Sequence, residues 1–225
     1  MDGDESRKMN DAGLNGPHGN ARVIATGEPL QSAHAALILV HGRGATAESI
    51  LTLVPELRLP EDSRLALLAP QATGNTWYPN SFLAPIESNE PFLSSALALL
   101  ESLVARAASA GIPDERTYLL GFSQGACLSL EFAARNARRF GGVFGLSGGL
   151  IGPDDTPRDY SGRFDGTPVF LGCSDVDFHI PKERVLDSAK ILREMGAEVD
   201  ARLYPGMGHT INADEIEAVR GILTG

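Results

Sequence analysis

At 225 residues the chain has the length of one α/β domain, with enough material for a sizeable core and little left for a second domain. The composition is globular, 43% hydrophobic and 21% charged, and no run reads as long enough to cross a bilayer, which argues against a membrane-spanning role. A formal net charge of -10, with no cluster of Lys and Arg to follow a phosphate backbone, argues against nucleic acid and anionic membrane surfaces as partners.

Residues 1–20 are polar and rich in Gly, Asn and Asp, and they lack the apolar centre of a secretory signal. They read as a disordered tail that leaves His18 in solvent, with residues 21–225 forming the single domain. Cys127 and Cys173 are too few for a disulfide framework, so the expected setting is a reducing cytoplasm with both thiols serving as small core residues. The first strand is expected over residues 35–40, a continuous apolar run of the kind buried on both faces of a parallel sheet. It follows His34, expected in solvent, and runs directly into His41-Gly42-Arg43-Gly44. A short helix capped by Thr46 then extends to about Leu57, and a second strand over 64–69 stops at Pro70. Residues 71–91 are irregular, with four prolines and glycines around a Trp77-Tyr78-Pro79 cluster, and a structureless stretch of that length in a compact domain is usually functional. A long helix begins at Pro91, carries Phe92, Leu93, Ala96, Leu99, Leu100, Leu103 and Val104 on one face, and stops at Gly111.

The most informative stretch comes next. An apolar strand over 117–120 ends in Gly121-Phe122-Ser123-Gln124-Gly125, and a helix pattern to about Asn136 starts at once. A Gly-x-Ser-x-Gly corner between strand and helix is the pattern of a nucleophile elbow: the glycines permit a turn tight enough to lift the serine above the sheet, at the positive end of a helix. Further strands are expected over 142–146, 167–171 and 198–204, and further helices over 182–195 and 212–223. Residues 151–165 form a surface loop. Alternating strands and helices imply a mostly parallel sheet with helices on both faces, whose ligands bind beyond the carboxyl ends of the strands. His41 to Gly44, Ser123, Ser147, Asp177 and His209 all follow a predicted strand end, so they should share one rim.

A serine hydroxyl is a weak nucleophile until a base takes its proton, and the base needs a third group to fix its tautomer. The elbow therefore predicts an acid and then a histidine downstream. His209, after the last strand in a Gly-rich turn, meets that order, whereas His41 precedes the serine. The acid is Asp175 or Asp177, which spacing does not separate, and the unused one would order its turn. His179 is placed to line the site. Asp175, Asp177 and His179 alternate as metal ligands sometimes do, but one short loop lacks the second element that completes a metal site, so neither metal nor cofactor is expected. The oxyanion donors should be the backbone N–H groups of Gln124 and Arg43, the latter brought close by Gly42 and Gly44.

With these four motifs in order, the chain from residue 35 to 225 resembles the phospholipase/carboxylesterase family of α/β-hydrolases, which includes the acyl-protein thioesterases. The resemblance implies Ser123 as nucleophile, His209 as base, Arg43 and Gln124 as oxyanion donors, and Asp177 over Asp175, because the family's acid lies four residues before a proline, here Pro181. It also implies no large cap domain and a substrate loop in which Trp77 and Tyr78 line the pocket. Two departures, Arg43 at a usually apolar position and Phe178-His179 after the acid, make the rim more polar and point to small esters. The expected activity is a serine carboxylesterase acting on a small-molecule ester as a monomer or homodimer. An acyl-protein thioesterase or lysophospholipase is the alternative within the fold, and a non-catalytic ligand-binding protein on a hydrolase scaffold is the alternative outside it.

Overall fold

The computed structural model describes residues 7–10, 14–60 and 62–225. Among these, eight strands form one sheet: β1 (Arg7–Asn10), β2 (Arg22–Gly27), β3 (Ala35–Val40), β4 (Leu65–Pro70), β5 (Thr117–Phe122), β6 (Gly142–Leu146), β7 (Pro168–Ser174) and β8 (Glu198–Tyr204). Their order is β1-β2-β4-β3-β5-β6-β7-β8. All neighbouring pairs from β4 to β8 are parallel, and β1 and β2 add antiparallel at one edge. The helices are α1 (Ala47–Leu51), α2 (Phe92–Ser109), α3 (Gln124–Arg135), α4 (Lys182–Glu194) and α5 (Ala213–Thr224). This is the mostly parallel sheet with helices on both faces that the alternating pattern predicts, and the α/β-hydrolase arrangement that the resemblance implies.

The central strands are apolar throughout because both faces are covered. Ile38, Leu119, Val143, Val169 and Leu171 share a core with α2, α3 and α4. Their neighbours Leu37, Leu39, Leu120, Phe144 and Phe170 point the other way, into a second core with α1 and α5. Burying each such side chain contributes about 1.5–3 kcal/mol relative to exposure, so the sheet is a rigid platform for the loops at its carboxyl rim. By length and composition α2 could cross a bilayer, contrary to the reading that no run could. Here Leu93, Ala96, Leu99, Leu100 and Leu103 bury its apolar face in the first core.

The expectations for the amino-terminal segment need correction. Residues 35–40 do not form the first strand: β1 and β2 precede them, and β2 was not legible because only Val23 and Ile24 of its six residues are buried. His18 is fully buried, not in a solvent-exposed tail. Its Nε2 donates to the Trp77 carbonyl at 3.0 Å and its Nδ1 accepts from the Thr73 N–H at 3.2 Å. Two heteroatoms used this way describe a neutral ring, and burial lowers its pKa. Residues 1–6 and 11–13 of the expected tail lie outside the described residues. His34 is exposed, as expected.

Candidate active site

Ser123 sits between β5 and α3 with φ 55° and ψ -119°, a left-handed backbone conformation for a residue with a side chain. Such a conformation costs on the order of 1–3 kcal/mol and persists only where its surroundings impose it. Two bonds hold it here: the Ser123 N–H to the Leu146 carbonyl at 2.9 Å and the Cys127 N–H to the Ser123 carbonyl at 3.0 Å. The flanking glycines are obligatory on steric grounds. A Cβ at Gly121 would lie 2.2 Å from the Gly125 carbonyl oxygen, and one at Gly125 would lie 2.1 Å from that of Val40.

The hydroxyl of Ser123 donates to His209 Nε2 at 2.8 Å, and His209 Nδ1 donates to Asp177 Oδ2 at 2.6 Å. Asp177 Oδ1 accepts the N–H groups of His179 at 2.8 Å and Ile180 at 3.1 Å. Burial alone would raise the Asp177 carboxyl, but the His209 bond and the two backbone donors outweigh it and hold the group below the ordinary aspartate range. Asp175 does something else: its Oδ1 accepts the Gly206 N–H at 2.8 Å and so pins the turn that carries His209. The Ser174 hydroxyl adds a bond to the Met207 carbonyl in the same turn.

The backbone N–H groups of Arg43 and Gln124 both lie on this rim, and among the described residues neither is bonded to a protein acceptor. The 41–44 loop that follows β3 is held from behind by buried rings tilted against one another. His41 is fully buried and donates from Nδ1 to the Gly42 carbonyl at 2.7 Å, while its Nε2 accepts from the Ala72 N–H at 3.1 Å. Burial lowers its pKa, with the Gly42 bond opposing. It therefore orders the loop as a neutral ring and takes no part in the serine relay.

Trp77 does not line the pocket as the resemblance implied. It is fully buried, its Nε1 donates to the His41 carbonyl at 2.8 Å, and its ring lies 4.9 Å from His41 and 5.5 Å from His18. A large amphipathic ring in this loop gains more from closing the core, where its N–H has an acceptor, than from facing solvent. Tyr78 does form part of the wall. Burial raises the pKa of its phenol well above the usual range, so the group stays neutral. His179 also lines the pocket, with its ring 5.0 Å from that of His209. The cavity has a volume of about 430 Å³ and is completed by Pro79, Asn80, Ser81, Phe82, Cys127 and Ile180. Cys127 and Cys173 are buried free thiols, each pushed up to about 12 chiefly by burial.

One participant was missed. The Gln124 side chain clamps the pocket loop, accepting from the Trp77 N–H at 2.9 Å and donating to the Tyr78 carbonyl at 2.8 Å. Its position after the serine draws attention to its backbone N–H, and nothing local in the sequence announces a partner about fifty residues upstream.

A sequence model of the family described as phospholipase/carboxylesterase matches residues 18–224. Acyl-protein thioesterase 1 of Yarrowia lipolytica is 26% identical over 212 residues, covering 85% of this chain and 92% of that protein. Acyl-protein thioesterase 1 of Gibberella zeae is 33% identical over 131 residues, 54% of this chain, and the match spans about half (53%) of that relative's length. A crystal structure of a phospholipase/carboxylesterase from Dyadobacter fermentans superposes with a TM-score of 0.88 at 45% identity, over 95% of this chain and 100% of that one.

Proposed function

The chain belongs to the phospholipase/carboxylesterase family, and from that premise we propose that it is a serine carboxylesterase that hydrolyses small or medium carboxylic esters through an acyl-enzyme on Ser123. The observation that carries this reading is the continuous relay from Ser123 Oγ through His209 to Asp177 at 2.8 and 2.6 Å. With the Nδ1 proton committed to Asp177, His209 Nε2 is free to take the serine proton as Oγ attacks the ester carbonyl. The N–H groups of Arg43 and Gln124 receive the oxyanion, and the amino end of α3 adds favourable potential there. His209 then protonates the departing alcohol and activates the water that releases the acyl group. Asp177 holds the ring and stabilises the imidazolium. No step requires a metal or cofactor. The cavity of about 430 Å³ suits a small or medium ester, and the two free, buried thiols agree with a reducing cytoplasm.

Ser123→Ala should abolish hydrolysis of a short-chain p-nitrophenyl ester with the melting curve retained, and a fluorophosphonate probe should label Ser123 in the parent protein. Full activity in the variant, or a parent protein that is never labelled, would sink the assignment. A second reading, as an acyl-protein thioesterase or lysophospholipase, draws on exposed Phe178 and Val176 beside the acid. Rates that climb steadily with acyl length would favour it.

A further inference from the structure

Arg43 contributes to the pocket in two ways. Its backbone N–H serves the oxyanion in the reading above, on which this inference rests, and its side chain reaches the opposite loop. The guanidinium donates from Nη1 to Thr76 Oγ1 at 3.0 Å and to the Pro79 carbonyl at 2.9 Å, and from Nη2 to the Asn80 carbonyl at 2.6 Å. All three acceptors are neutral. Among the described residues no carboxylate stands at ion-pair distance from Arg43. These bonds leave the Nε–H and one N–H of Nη2 without a protein acceptor.

The rest of the cavity does nothing to offset that charge. Among the described residues its lining contains no Asp or Glu. The Tyr78 phenol and Cys127 thiol are neutral because burial raises both pKa values. Both oxygens of Asp177, behind His209, are already occupied. In a chain of net charge -10, the one permanently charged side chain among the described residues that line the substrate space is a cation. It is also fixed in place by three bonds, so little side-chain freedom would be lost on pairing it. We propose that this pocket selects esters that carry a second, non-reacting carboxylate, which pairs with the free N–H edge of Arg43. The substrate class is the monoesters of short dicarboxylic acids or the acyl esters of short hydroxy acids. Water is added across the ester bond in both cases, and the spectator carboxylate is unchanged.

If Arg43 were only a staple for residues 76–80, substrate charge would not matter. Two isosteric pairs separate the cases: monomethyl succinate against methyl levulinate, with the carboxylate on the acyl side, and acetoxyacetate against acetoxyacetone, with it on the alcohol side. Proton release gives kcat/KM for each, divided by the hydroxide-catalysed rate of the same ester. The charged member of at least one pair should be preferred on the order of tenfold or more, and the ratio should shrink as salt is raised. Arg43→Gln should bring the ratio to about unity while Arg43→Lys preserves its sign; the ratio within one variant cancels damage to the loop common to both substrates. Should Arg43→Gln be inactive, the salt dependence of the ratio in the parent and in Arg43→Lys still decides, a salt-insensitive ratio counting against the pairing. A parent ratio at or below unity in both pairs, or one that Arg43→Gln leaves intact, overturns the proposal while the esterase reading stands. Absence of Ser123-dependent hydrolysis of any ester overturns both.

Discussion

Replacing Asp177 with asparagine removes a charge and introduces an amide whose orientation the backbone around it dictates. The His179 and Ile180 N–H groups both point at Oδ1, at 2.8 and 3.1 Å. Asparagine keeps those bonds only with its carbonyl oxygen in that place, which turns its NH2 toward His209 across the present 2.6 Å contact. An amide NH2 donates, so His209 Nδ1 must accept and the ring proton moves to Nε2, facing Ser123 Oγ. The base then cannot take the serine proton. Flipping the amide would restore the tautomer but set the two backbone N–H donors, that of Ile180 buried and that of His179 part-buried, against a third, at up to about 1–3 kcal/mol for each unmet group. The expected loss in kcat on a short-chain p-nitrophenyl ester is therefore on the order of 10⁴-fold, with thermal melts used to check that the variant folds. Asp175→Asn keeps an acceptor for the Gly206 N–H and should lose less than about tenfold, because it touches the base only through its turn. Asp177→Asn within about tenfold of the parent, or the opposite ranking of the two variants, would refute the reasoning. The carboxyl's lowered pKa also means that its ionised form stabilises the fold above the ordinary aspartate value, and that this contribution fades as pH falls through the native pKa.

Gln124→Ala leaves the backbone N–H in place but strands the buried Trp77 N–H; it should cost about 1–3 kcal/mol in urea unfolding and lower kcat/KM as the pocket wall loosens, and an unchanged wall would show as parent-like values of both. Gly125→Ala brings a Cβ to 2.1 Å from the Val40 oxygen and 2.6 Å from that of His41, both backbone atoms. It should lose at least about 1–3 kcal/mol and most activity, and a soluble, fully active variant would show that the elbow can relax. Glu215, at the start of α5, is fully buried, with Oε2 bonded to the Asn212 N–H at 2.8 Å and Oε1 unpartnered among the described residues. Burial pushes its pKa from 4.5 to about 7. The native state then holds more protons than the unfolded one between those values, so stability falls as pH rises across that window. Glu215→Gln keeps an acceptor for Asn212 and should flatten that part of the melting-temperature profile; an identical slope in both proteins would exclude Glu215 as its source.

What was legible in the sequence divides by range. β3, β6 and β8 match their expected bounds, and the other parallel strands and the long helices differ by a few residues, because apolar runs, Pro and Gly act locally. The meeting of Ser123, Asp177 and His209 follows from strand order together with the rule that parallel sheets present their loops at one rim. The failures involve tertiary choices. His18 lies in a polar segment, yet a Trp77 carbonyl and a Thr73 N–H convert it into a buried connector. Trp77 was placed by analogy at the pocket, but the indole N–H found its acceptor in the His41 carbonyl beneath the loop. Neither partner can be read from neighbours in sequence.

The same division separates reaction from recognition on the rim. Atoms that hold an oxyanion belong to the backbone, so a strand end and a helix start suffice to specify them. The guanidinium of Arg43 is placed by Thr76, Pro79 and Asn80, all more than thirty residues away. A net charge of -10 would by itself repel an anionic ester. That repulsion acts across water, where physiological salt screens charges beyond about 8 Å. Arg43 is itself exposed, but a contact at hydrogen-bond distance is far closer than the screening length, so the local cation outweighs the distant surface once the ester has entered. Surface charge should then act mainly on the rate of encounter at low salt, and Arg43 on the choice between esters after it.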